Sequence, residues 1–343
     1  MNQFIRIGMD TSKHLFQLHG VNAAEAPVLK KKLRRKEMLA FFAGIEPTLV
    51  GIEACGASHH WARVLGEMGH EVKIMAPQLV KPYVKRGKND AADAAALCEA
   101  MSRPSMRFVA VKSPEQQAGL MLLSIRDRLV RTRTQLTNSI RGHAAEFGLI
   151  AAKGLGKIEP LLVRIGEDAS LPDLARALFA DLGEEYARLQ ARLLQTDSAL
   201  LALHRGDEKS RRLVRIPGVG PIGATTLTLK APDPASFKSG RDFAAWIGLT
   251  PRDHSTAGKA RPGAITRAGD SGLRSLLVAG ATAVIQQVRR GRTAPSPWLA
   301  ALIARKPPKL AAVALANKNA RIAWKMMIAD TSYDATRLAA RAA

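Results

Sequence analysis

Short apolar runs alternate with helical periodicities through the first 110 residues, an order that points to a sheet with helices packed against it. Residues 4–9 and 15–21 read as strands joined at Asp10-Thr11-Ser12-Lys13, a hairpin rather than a crossover. A helical pattern follows at 37–43, then a buried strand at 48–53, a helix at 58–68, a strand at 71–75 and an alanine-rich helix at 89–101. A hairpin followed by strands alternating with helices fits an α/β domain of ribonuclease H type. The intervening run Leu29-Lys30-Lys31-Lys32-Leu33-Arg34-Arg35-Lys36 suits a solvated charged face as well as it suits phosphate contact.

Four carboxylates stand at informative places in this pattern. Asp10 ends the first strand, Glu53 ends Leu49-Val50-Gly51-Ile52, and Asp90 and Asp93 lie in Lys88-Asn89-Asp90-Ala91-Ala92-Asp93-Ala94. Carboxylates at strand ends pack poorly, but on one edge of a sheet they can hold divalent metal ions that activate an attacking oxygen and neutralise a leaving one. Three-residue spacing puts Asp90 and Asp93 on one helix face. Each taken singly also suits a simpler role, with Asn89-Asp90 capping the helix and Asp93 favouring its macrodipole. Glu53 resists such an account, because a carboxylate ending a buried strand needs a partner.

The surrounding chain is strongly basic. Lys and Arg number 52 against 29 Asp and Glu, a formal charge of +23, as expected of a protein that neutralises phosphates. A length of 343 residues with 47% hydrophobic content gives two or three domains real cores and excludes a disordered basic tail. Cys55 and Cys98 form no CxxC or Cys/His cluster, so neither a zinc site nor a disulfide framework is indicated and a cytoplasmic setting is expected. The longest apolar stretch, 276–285, is too short to span a bilayer.

From 113 to 147, Leu120, Leu123, Leu129, Leu136 and Ile140 recur at helical spacing, and a second periodic stretch runs from 171 to 203. The pair reads as a helical hairpin or coiled-coil arm, with 151–166 as a connecting loop. Farther on, Ile216-Pro217-Gly218-Val219-Gly220 has the pattern of a helix-hairpin-helix, whose turn exposes backbone N–H groups to a phosphate at Gly218 and Gly220. Residues 250–270 form a polar loop with hydroxyls and cations between apolar helices. Such a loop can present a nucleophilic hydroxyl to phosphate, with Lys259, Arg267 and Arg274 stabilising charge, although a solvated turn has the same composition. Trp246, Trp298 and Trp324 read as core.

Together these motifs resemble the DEDD transposases of the IS-110 insertion-sequence family, in the branch with a Gly-Leu-Thr-Pro-Arg-x-His-Ser loop. The resemblance spans nearly the whole chain, through Gly8-Met9-Asp10, Gly51-Ile52-Glu53-Ala54-Cys55-Gly56 and the Asp90/Asp93 motif, then through the Pro-Gly-Val-Gly turn, Gly248-Leu249-Thr250-Pro251-Arg252 and Gly269-Asp270-Ser271-Gly272-Leu273-Arg274. It implies a Holliday-junction-resolvase-like domain at 1–110 in which Asp10, Glu53, Asp90 and Asp93 bind Mg2+. It further implies a coiled-coil arm at 111–205 and a mostly helical transposase domain at 206–343 carrying a serine that attacks DNA. Ser255 matches that serine, with Thr256 beside it as the alternative nucleophile.

The family resemblance also implies double-stranded DNA as substrate, a structured noncoding guide RNA, and a homodimer or homotetramer with composite sites. The activity expected is magnesium-dependent strand exchange through a serine-linked DNA intermediate. A junction-resolving nuclease, a site-specific DNA invertase and a non-enzymatic architectural protein are the alternatives.

Overall fold

The computed structural model describes residues 4–84, 89–231, 233–254, 256 and 261–334. The chain divides into two compact units, Met1–Pro114 and Glu115–Ala343.

The first unit is built on a six-stranded sheet. Its elements run β1 (Arg6–Thr11), β2 (Leu15–Val21), β3 (Pro27–Arg34), α1 (Met38–Ala43), β4 (Leu49–Glu53), α2 (Ser58–Glu67), β5 (Glu71–Met75), α3 (Pro77–Val80), α4 (Asp90–Ala100) and β6 (Phe108–Val109). The strand order is β3-β2-β1-β4-β5-β6. Strands β1, β4 and β5 are parallel, while β2, β3 and β6 join antiparallel. The hairpin and the later strands and helices therefore lie where the periodicity puts them. The basic run, to which the sequence pattern assigns no element, forms the edge strand β3: Leu29 and Leu33 share one face of it with a period of two.

Alternation assigns the two sheet faces. Ile7, Met9, Phe16, Leu18, Leu33, Val50 and Ile52 pack with Phe42, Trp61 and Leu65 from α1 and α2. The opposite face carries Arg6, Gly8, Asp10, Gly51 and Glu53, and α4 docks there. The seat is Gly8, where a Cβ would lie 2.0 Å from the Ala94 carbonyl oxygen and 2.5 Å from the Cys98 nitrogen. Its register partner on β4 is Gly51, where a Cβ would lie 2.5 Å from the Met101 side chain. Only a glycine pair lets helix and sheet come this close.

The second unit is helical, comprising α5 (Pro114–Glu146), α6 (Ile158–Glu167), α7 (Asp173–Gly206), α8 (Glu208–Leu213), α9 (Pro221–Lys230), α10 (Gly240–Ile247), the strand pair β7 (Pro251–Asp253) and β8 (Pro262–Ile265), α11 (Ser271–Arg289), α12 (Pro297–Arg305) and α13 (Pro308–Ala329). Helices α5 and α7, with 33 and 34 residues, each extend roughly 50 Å. Arg126 bonds Asp197 at 2.6 Å between them. The segment expected to be a connecting loop contains α6, whose Ile158, Leu161 and Ile165 are buried with Ile140, Phe179 and Tyr186. A three-then-four spacing of apolar residues was the signal, present in the sequence but short.

Helices α8 to α13 enclose a separate core. Phe243, Ile247, Leu273, Leu277 and Ile285 meet a row of alanines on α13, at 311, 312, 316, 320 and 323. Trp246, Trp298 and Trp324 are half-buried at its margin. The polar loop is more ordered than its composition suggests, since β7 and β8 pair within it, Pro251 opposite Ile265.

Candidate active site

The fold brings acids together at the carboxyl end of β1. Asp10, Asp90 and Asp93 each offer a carboxylate oxygen, and these oxygens lie within 4.8 Å of one another. The local causes can be followed residue by residue. Asn89 caps α4, its side chain accepting from the Ala91 backbone N–H at 3.0 Å. Asp90 is thereby released from capping and points with Asp93 from the first turn. At the other end of α4, Arg6 donates through Nε to the Cys98 carbonyl at 2.9 Å, in the last turn where a cation complements the helix dipole. Gly8 lies between these anchors, two residues before Asp10 and on the same face.

Glu53 follows Ile52, the register partner of Met9, so it sits one strand over beside Asp10. It is outside the tight trio yet senses it: burial and then the charge of Asp93 raise its pKa. Asp10 is affected more, pushed up to about 6 by burial and then by Asp90, Asp93 and Glu53. The carboxylates thus repel one another in a partly desolvated pocket. An all-oxygen, multiply negative donor set of this kind suits a hard divalent cation, which would relieve that repulsion.

Farther along the same unit, the α2 residue His59 meets Lys112. Its Nδ1 accepts from the Lys112 backbone N–H at 3.2 Å, and Arg63 donates to the Lys112 carbonyl at 2.6 Å. Burial, then Lys112 and Arg63, lower the His59 pKa to about 4. The partner of His59 lies 53 positions away, beyond the reach of local pattern.

The second unit positions the other expected residues. Ser255 and Lys259 lie outside the described residues, and the exposed Thr256 is their described neighbour. The base of their loop is tightly made. Gly248 and Gly269 both have positive φ, 80° and 73°, and a Cβ at either would fall on backbone of the other strand of the loop. Arg274 donates from Nη1 to the Ile247 and Ala268 carbonyls at 2.9 and 3.1 Å, which ties the loop base together. Arg267 is exposed beside it. Asp270 caps α11 through Leu273 and pairs with Lys230 at 2.6 Å.

In the Pro217-Gly218-Val219-Gly220 turn between α8 and α9, Gly218 has φ 87° and packs on Gly280 of α11. Gly220 is exposed at the start of α9. Two α13 residues that sequence reasoning missed hold both features. Asn319 donates to the Pro217 carbonyl at 2.8 Å and Asn317 to the Leu249 carbonyl at 3.1 Å. Both asparagines lie in an otherwise alanine-rich helix, and that polar interruption was the legible hint.

Comparison with known proteins decides the family. Residues 7–147 match a DEDD transposase model of the IS110 group, and residues 210–295 match the transposase IS116/IS110/IS902 family. The chain is 65% identical to a Sinorhizobium fredii protein described as a transposase, over 97% of this chain and 86% of that one. The chain belongs to the IS110 transposase family. This transposase is also 47% identical to a Pseudomonas aeruginosa protein described as a family 20 transposase, over 96% of this chain and 98% of the relative. Against the transposase for insertion sequence element IS1328 of Yersinia enterocolitica it is 37% identical, over 95% and 98%. The acid trio lies within the first matched segment, and the Pro-Gly-Val-Gly turn and the loop base within the second. No helix among the described residues of the transposase is long and apolar enough to cross a membrane.

Proposed function

We propose that this insertion-sequence transposase cuts and rejoins double-stranded DNA with the acids of its first unit and the serine loop of its second. The convergence of Asp10, Asp90 and Asp93 within 4.8 Å, with Glu53 alongside, carries this reading. The strand order, three antiparallel strands leading into parallel ones with acids at the ends of β1 and β4, supports a ribonuclease H-like arrangement for residues 1–110. Residues 111–205 then serve as the arm and 206–343 as the transposase domain with its helix-hairpin-helix.

The four carboxylates would hold Mg2+, which supplies charge neutralisation at the scissile phosphate. Their own part would be to hold such an ion at the carboxyl end of β1. Ser255 is the proposed nucleophile. Its Oγ forms a bond to phosphorus, one DNA oxygen leaves with a proton, and the phosphodiester persists as a serine-linked ester. One P–O bond is made for each one broken, so rejoining needs no external energy source. Gly220, Lys259, Arg267 and Gly218 supply phosphate contacts, while Arg274 keeps the loop base closed. A structured guide RNA and an assembly of two or four protomers in the bacterial cytoplasm complete the reading taken from family resemblance.

The test is incubation of the purified protein with Mg2+ and end-labelled DNA from the element junction. A protein–DNA adduct lost in Ser255→Ala and in Asp10→Asn, and kept in Thr256→Ala, is expected. Loss in Thr256→Ala alone would move the nucleophile by one residue. Cleavage without any adduct would favour a metal-dependent nuclease.

A further inference from the structure

We infer that Lys30, Lys32 and Arg34 form a phosphate track that guides the DNA strand toward the acid cluster. The inference rests on the reading of that cluster as a DNA-cutting centre. Its basis is the sheet register. Lys32 pairs with Gln17, and Gln17 pairs with Asp10, so one row crosses β3, β2 and β1 from cation to carboxylate. Lys30 and Arg34 lie two residues to either side and share that face. Residues of one row on alternate strands are about 10 Å apart, roughly three nucleotide rises along one DNA strand. A strand with its scissile phosphate at Asp10 therefore brings neighbouring phosphates over β3.

Edge strands often carry cations merely to discourage edge-to-edge pairing. That role needs charge on the strand but no choice of face. Here the faces differ. Lys31, on the side of α1, sits over the Phe41 ring at 5.0 Å. Lys30, Lys32 and Arg34, on the acid side, are exposed, and among the described residues their side chains make no salt bridge, the Glu37 carboxylate taking only the Arg34 backbone N–H at 2.7 Å. Helix α4 packs chiefly on β1 and β2, leaving this strip of β3 open. Where the strip reaches the end of the sheet, His14, Arg34, Arg35 and Lys36 border a shallow depression. Unpaired cations leading to a carboxylate cluster match a polyanion whose reacting phosphate must be drawn to negative groups through its neighbours.

The experiment compares the full-length protein with the triple variant Lys30→Gln, Lys32→Gln, Arg34→Gln. Binding to a junction DNA duplex and to a structured RNA of similar length is measured by fluorescence anisotropy across a salt series in EDTA. Cleavage is then measured in Mg2+, and circular dichroism melting verifies folding. The slope of log affinity against log salt for DNA should flatten by about 2.7 in the variant, with cleavage at limiting DNA falling at least tenfold. An unchanged DNA slope in a folded variant would overturn the track and leave the cations as edge protection. Flattening with RNA alone would also overturn it, assigning the strip to RNA. Failure of the underlying reading looks different: the wild type would bind the junction yet leave it uncut and unlinked in Mg2+, removing the track's destination.

Discussion

The two candidate regions hold their polar groups in opposite ways. In the first unit like charges are gathered, with Asp10 beside Asp90, Asp93 and Glu53, and His59 beside Lys112 and Arg63. In the second unit opposite charges and complementary dipoles are matched: Lys230 with Asp270, Arg274 with two carbonyls, Asn317 and Asn319 with one carbonyl each. Crowded like charges cost folding free energy and wait for a ligand of opposite sign, whereas matched groups fix a shape. The first arrangement suits an ion of opposite sign, whereas the second fixes the base of a loop at Gly248, Gly269 and Arg274.

The hardest test of that contrast is Gly8→Ala. A Cβ 2.0 Å from the Ala94 carbonyl requires α4 to shift, and with it Asp90 and Asp93. Destabilisation of about 3 kcal/mol or more is expected from overpacking against backbone. Urea unfolding should show it, and Mg2+ should no longer raise the melting temperature. If the variant melts like the wild type and keeps its Mg2+ response, close approach of α4 does not set the site.

On the matched side, Asn319→Ala removes the buried amide that donates to the Pro217 carbonyl. The expected cost is about 0.5–1.5 kcal/mol, measured by urea unfolding. Phosphate affinity of the neighbouring turn should weaken with it. A neutral outcome would mean that the turn is held by Gly218 packing on Gly280 alone.

Removing a crowded charge should do the reverse. Asp10→Asn lowers the repulsion among the acids, so in EDTA at pH 7.5 its melting temperature should exceed the wild type's by roughly 2–4 °C, the shift expected of about 1 kcal/mol in a chain of this class. In saturating Mg2+ the order should invert, because the wild type gains binding energy that the variant lacks. A melting temperature equally low or lower in EDTA would show that Asp10 is paid for by an interaction other than the metal.

These expectations also mark how far sequence could be read. Strands β1, β2, β4 and β5, the long helices and the convergence of Asp10 with the Asp90/Asp93 helix face were legible, because hydrophobic period and residue chemistry are local properties. So was the Gly8-Met9-Asp10 motif. What Gly8 does was not legible, since its partner Ala94 lies far along the chain. Strand β3 hid behind its lysines, because charge masked a two-residue alternation carried only by Leu29 and Leu33. Helix α6 was hidden by brevity, and the β7–β8 pair by polar composition. The Asn319 contact with Pro217 spans 102 positions and has no counterpart in any local motif.

The smallest expected effect concerns the basic cluster and tests whether crowding there is real. His59 has a folded pKa near 4 against an ordinary 6.5, so between these values the unfolded chain binds more protons than the folded one. Stability from the neutral imidazole is therefore fully present above pH 6.5 and is lost as pH falls toward 4. His59→Gln keeps a polar partner for Lys112 but does not titrate. Between pH 6.5 and 4.5 the wild type should lose more stability than the variant, by no more than roughly 1 kcal/mol after allowance for solvent screening. Urea midpoints at the two pH values measure the difference. Parallel loss in both proteins would show that burial, Lys112 and Arg63 together do not hold His59 neutral, and the first unit would then crowd charge only at its acids.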